Sequence, residues 1–90
     1  MAKTKKYSYK SENKLKHFIS IKRAEKALET GRKVLIADVE KELAEYCEVS
    51  LDTVRFIKRN VNQPSLEVAL KMGEYFSLPV EEIFELKDNE

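Results

Sequence analysis

Two short amphipathic stretches separated by a three-residue break constrain this chain most. Ile36, Val39, Leu43 and Cys47 recur at spacings of three and four, which puts one apolar stripe on a helix. Val49 and Ser50 interrupt it, and Val54 and Ile57 resume the pattern three residues apart. Ser50 suits a helix N-cap, because its hydroxyl can accept from a free backbone N–H of the first turn. Two helices joined by so tight a turn must cross steeply, and Ala44 at the crossing keeps the backbones close. This arrangement leaves the outer face of the second helix to solvent or to a partner.

The flanking sequence extends the helical reading. Residues 14–30 carry Leu15, Phe18, Ile19, Ala24, Ala27 and Leu28 at mixed spacings of three and four, and Gly31 offers a stop. The second helix is expected over 34–47, and Asn60 can end the third in a left-handed conformation. Pro64 and Ser65 open a fourth helix with Leu66, Ala69, Leu70, Met72 and Phe76 as apolar positions, and Ser77-Leu78-Pro79 breaks it. Val80 to Leu86 forms a short last helix. Residues 1–13, with four lysines around Tyr7 and Tyr9 and no apolar period, read as a flexible basic arm; a short strand at YSYK is the weaker alternative. The expected fold is all-α, five helices over residues 14–90, preceded by the arm.

Ninety residues make one domain. The single cysteine forms no internal disulfide, and no Cys or His spacing suggests zinc. No apolar run is long enough to span a bilayer, and residues 1–13 lack the apolar stretch of a signal peptide, so a cytoplasmic location is expected. The formal charge of +1 conceals a division: residues 1–35 carry +8 and residues 36–90 carry −7. A basic half invites a polyanion, and the acidic half could take a protein partner. Catalysis has no basis in the motifs. There is no Ser/His/Asp set, no phosphate-cradling glycine loop and no metal-ligand cluster, so neither enzyme activity nor a cofactor is expected. His17 stands alone, and Cys47 falls on an apolar stripe where a core role is expected.

Residues 40–86 resemble the lambda-repressor-like (Xre/Cro) helix-turn-helix family. The resemblance rests on Leu43-Ala44, Val49-Ser50, Thr53-Val54, Ile57, the run Pro64-Ser65-Leu66-Glu67, and Val80-Glu81-Glu82-Ile83-Phe84. It implies a helix-turn-helix at about 40–59 whose second helix enters the major groove of duplex DNA. It further implies a homodimer on a palindromic operator and a role in transcription, with repression expected. An antitoxin-like or antirepressor-like interaction module built on the same fold is the alternative. By position in the motif, Leu51, Asp52, Arg55 and Phe56 face the groove. Arg55 would offer guanine a forked pair or hold a phosphate. Asp52 would accept from cytosine or cap the helix through its dipole. Leu51 would meet a thymine methyl, and Phe56 would do so or pack on the domain. Ser50 belongs to the same DNA-binding set, and Thr53, Lys58, Arg59, Asn60 and Asn62 are phosphate candidates. The arm could reach the minor groove.

Four departures from the family pattern stand out. Glu48 replaces the glycine that usually opens the turn, a cost of about 1 kcal/mol if the position is left-handed. Glu40 stands where glutamine often contacts phosphate, and an acid there would repel it. Lys58 replaces the usual acid late in the recognition helix, adding positive charge near the DNA backbone. RKVLIAD makes the link after Gly31 long and is expected to lengthen the second helix at its N-terminal end.

Overall fold

The structure, a computed structural model, describes residues 9–88. Strand β1 (Tyr9–Asn13) is followed by α1 (Leu15–Thr30), α2 (Ile36–Cys47), α3 (Leu51–Lys58), α4 (Leu66–Phe76) and α5 (Val80–Ile83), and β2 (Phe84–Asp88) closes the described chain. Helix dominates, but the all-α expectation needs one correction. β1 and β2 pair antiparallel as a two-stranded ribbon, with Tyr9 opposite Asp88 and Asn13 opposite Phe84.

Local chemistry sets the helix boundaries. α1 begins where the Asn13 side-chain oxygen accepts the Leu15 N–H at 3.0 Å, and it ends at Gly31 with φ 68°. The start of α2 lies later than expected. The Leu35 N–H donates to Asp38 Oδ2 at 2.9 Å, and Leu35 is itself extended. A side chain that reaches back from the first turn in this way fixes the helix start. Residues 31–35 are therefore a connection and do not lengthen α2. Ser50 and Ser65 cap α3 and α4 by accepting from Thr53 N and Val68 N at 3.0 and 3.2 Å. Asn60 (φ 62°) follows α3 as expected, and Ser77 (φ 58°) ends α4. The Leu78 N–H then returns to the Gly73 carbonyl at 2.9 Å. Gly73 permits that return, because a Cβ there would lie 2.8 Å from the Leu78 carbonyl oxygen.

The expected last helix is cut short. α5 stops at Ile83, and Phe84 turns extended (φ −118°, ψ 137°). Lys14 N donates to Ile83 O at 2.8 Å. From that bond onward residues 84–88 pair with residues 9–13 instead of continuing the helix. Residues 9–13 of the expected arm are thus part of the fold, and residues 1–8 lie outside the described residues.

Helix α2 packs against α1, α3 and α4. Leu43, Val39 and Cys47 of α2 meet Leu15 and Ile19 of α1, Val54 and Ile57 of α3, Met72 and Ile83 in one buried cluster. Leu28, placed on the apolar stripe of α1 by spacing, is 86% exposed, and Leu66 and Leu70 of α4 also face solvent. A polar link joins three helices beside this core. The Tyr75 hydroxyl donates to Glu42, and Glu42 pairs with Lys26 at 3.0 Å. Burial drives the Glu42 carboxyl up, but the Tyr75 and Lys26 bonds outweigh it and hold its pKa below the usual value.

Candidate nucleic-acid interface

The α2–α3 unit is built from the turn outward. Glu48 adopts φ 60°, the left-handed conformation that favours glycine, and its N–H bonds the Glu45 carbonyl at 3.2 Å. Val49 N then reaches Ala44 O at 3.0 Å. Ala44 is buried at the crossing, where a larger side chain would separate the helices. Because the turn uses a strained non-glycine residue, Glu48→Gly is expected to stabilise the domain by about 0.5–1 kcal/mol. A thermal melt checks this, and an unchanged or lower Tm would remove the claim of strain.

With Val54 and Ile57 turned inward, α3 presents a mixed outer surface. Asp52 and Phe56 are exposed, and Leu51 is half-buried. The cap at this end is Ser50, so Asp52 contributes only its charge to the helix terminus. The Ser50 and Thr53 hydroxyls lie 2.9 Å apart, and both belong to the cap. The Arg59 guanidinium sits over the Phe56 ring, 5.8 Å from its centroid, so the aromatic stays at the surface beneath a cation. Asn62 is exposed in the turn after α3. Asn60 accepts from Asn13 Nδ2 at 3.0 Å, and the same amide donates to Ile57 O at 2.6 Å. Asn13 therefore satisfies the C-terminal end of α3 and the N-terminal end of α1 at once. Asn13 had no place among the sequence-derived candidates, although a polar amide just ahead of a helix is a cap signal.

The centre of the site is an acid that sequence reasoning treated as an isolated departure. Glu40 is only 3% exposed. Its Oε1 accepts from Arg55 Nε at 3.1 Å, and its Oε2 pairs with Lys58 Nζ. Burial pushes the Glu40 carboxyl up, but hydrogen bonds and charge from Lys58 and Arg55 outweigh it and hold its pKa below the ordinary carboxylate value. Glu40 and Lys58, each unusual alone, compensate each other as a cross-helix ion pair. The structure brings both departures into one contact. Glu40 is turned into the α2–α3 junction, where two cations neutralise it. Lys58 spends its charge there, and Arg55 does so in part. The Arg55 side chain remains 35% exposed, and its terminal nitrogens carry no hydrogen bond among the described residues.

Cys47 is buried, and its environment pushes the thiol up to about 11, so it stays protonated and unreactive at neutral pH. His17 packs edge-on against Phe18 at 5.2 Å. Among the described residues no group of His, Cys, Asp and Glu is placed to hold a metal ion, and no helix is long and apolar enough to cross a membrane. The chain matches no protein-family model and no curated protein sequence.

Proposed function

We propose that this chain is a helix-turn-helix regulator of the lambda-repressor-like type that binds duplex DNA as a homodimer and represses transcription. One observation carries the reading. α3 is a capped eight-residue helix seated on α2 through Val54 and Ile57, with Leu51, Asp52, Arg55, Phe56 and Arg59 left on its outward side. A helix of that size fits the major groove, and these side chains offer it a cation fork, an acceptor and apolar contacts. Arg55 is held at Nε by Glu40 while its two terminal nitrogens have no partner among the described residues, which pre-orients a fork for guanine O6 and N7. Arg59, Asn62 and the basic segment ahead of α1 are the phosphate contacts of this reading.

A gel-shift and titration against the DNA upstream of the chain's own gene tests it. Affinity is expected to fall linearly in log–log terms with salt, by about 0.9 per phosphate neutralised. About six contacts would cost roughly a thousandfold between about 50 and about 200 mM salt. A flat dependence rules out DNA as the main partner. Arg55→Ala is expected to lose about 1–3 kcal/mol on the preferred site and to discriminate less at one base pair. Because Arg55 also neutralises Glu40, the same variant should melt earlier, by about 1 kcal/mol. A uniform loss over all DNA sequences would make Arg55 a phosphate contact.

A further inference from the structure

We propose that β1 orients the turn after α3 for phosphate: Asn13 and Ser11 hold the side-chain oxygens of Asn60 and Gln63, so that both amides present their N–H groups outward to the DNA backbone. This role rests on duplex DNA being the partner.

Asn13 admits one orientation. Its Oδ1 accepts the Leu15 N–H at 3.0 Å, and its Nδ2 donates to Ile57 O at 2.6 Å. A backbone N–H needs an acceptor and a backbone carbonyl needs a donor, so exchanging the oxygen and nitrogen of Asn13 would break both bonds. The remaining hydrogen on Nδ2 goes to Asn60 Oδ1, 3.0 Å away. Asn60 must meet it with its oxygen, because the reversed amide would set donor against donor. The Asn60 oxygen is thus turned towards β1, and its Nδ2 has no partner among the described residues. Asn60 is exposed, and its backbone is fixed in the left-handed conformation at φ 62°.

Ser11 repeats the arrangement. It stands two residues before Asn13, and alternate strand residues share a face. Its hydroxyl donates to Gln63 Oε1, which leaves the amide nitrogen of the exposed Gln63 outward. The turn is also tied to α3, since Val61 N and Asn62 N both return to Phe56 O, at 2.9 and 3.3 Å. A phosphate oxygen only accepts, so an amide serves it nitrogen-first. With both oxygens taken by β1, residues 59–63 offer the Arg59 cation and amide donors of set direction, at a fixed distance from the groove-facing side of α3. Asn13 acts on DNA only through Asn60.

A double-variant cycle read by DNA affinity tests this. Asn60→Gly removes the amide and keeps the left-handed backbone without strain. Asn13→Ser keeps an acceptor for the Leu15 N–H and is too short to reach Asn60. Asn60→Gly is expected to weaken binding about tenfold, on the preferred site and on unrelated duplexes alike, because a phosphate contact carries no sequence information. Asn13→Ser should weaken it by about three- to tenfold, since the released Asn60 amide must be ordered on binding. Neither should change the slope of log affinity against log salt, which counts charges. In the Asn60→Gly background, Asn13→Ser should cost less than about twofold. In the free wild-type chain, NMR should show the Asn13 side-chain amide exchanging more slowly than those of Asn60 and Gln63, and only the latter two should shift when DNA is added. Equal losses from Asn13→Ser in both backgrounds would reduce Asn13 to a helix cap and overturn the positioning role. Unchanged affinity in Asn60→Gly, or an Asn13 amide that exchanges as fast as that of Asn60, would overturn it too. A wild-type chain that binds no duplex at all would instead remove the DNA-binding reading, and the phosphate role with it.

Discussion

Leu43→Ala is expected to destabilise the domain by about 3–4 kcal/mol, as fully buried leucines do when truncated and a cavity remains. Leu43 has no solvent exposure and sits in α2, the helix that α1, α3 and α4 all pack against. Its loss removes contacts from three interfaces at once, and a backbone fixed by caps at both ends of its neighbours has little room to collapse into the void. For a domain of this size the loss corresponds to a fall in Tm of about 15–30 °C. Leu28→Ala is the matched control. Spacing alone puts Leu28 on the apolar stripe of α1, yet it is 86% exposed, so its truncation should change stability by less than about 0.5 kcal/mol. Thermal melts of both variants decide the matter, and equal losses would mean that the core is wrongly placed.

That contrast shows where sequence was sufficient. Boundaries set by a short-range chemical device could be read directly. Gly31, Ser50, Ser65 and Asn60 each act on backbone groups within a turn of themselves, and each is found in that role or conformation. The inward residues of α2 and α3 were legible for a related reason: two helices packed on the same core need a stripe with the right period. Positions decided by distant partners were not legible. Val80, Ile83 and Phe84 are spaced as a helix would space them, and only the presence of residues 9–13 alongside turns 84–88 into a strand. Leu66 and Leu70 keep helical spacing and still face solvent, because nothing among the described residues covers that side of α4. In the candidate site, the outward row of α3 followed from the motif. The pairing of Glu40 with residues 15 and 18 positions later did not. Two departures of opposite sign from one pattern were the available signal, and it becomes meaningful only when the crossing of α2 and α3 is considered.

The compensation between those two departures has a measurable sign. In the wild-type chain Lys58→Glu removes one of the two cations at Glu40 and places a second carboxylate beside it, where Glu40 is only 3% exposed. Breaking a buried pair and leaving a charge uncompensated costs about 3–5 kcal/mol, and the partial exposure of position 58 puts the expected loss near the lower figure. Glu40→Gln alone should cost about 2 kcal/mol at neutral pH, because the amide keeps the shape but gives up two charge-assisted bonds. If the two residues act on each other, the losses do not add. Lys58→Glu made in the Glu40→Gln background should cost about 1 kcal/mol or less, since an amide can donate to the new carboxylate. The pH dependence separates this from general damage. Glu40 has a folded pKa below its unfolded one, so its contribution is present above about 4.5 and is lost as pH falls through the folded value. The gap between wild type and Glu40→Gln should therefore close on acidification. In Lys58→Glu the two neighbouring carboxylates resist ionising together, which raises a folded pKa. That variant should gain stability as pH drops from 7 towards 5, a range in which the Glu40 contribution to wild type stays intact. Melts of the four proteins of this cycle from neutral pH to below the 4.5 of an ordinary glutamate provide the measurement. Additive losses, or parallel pH profiles in all four, would mean that Glu40 and Lys58 do not act as a pair.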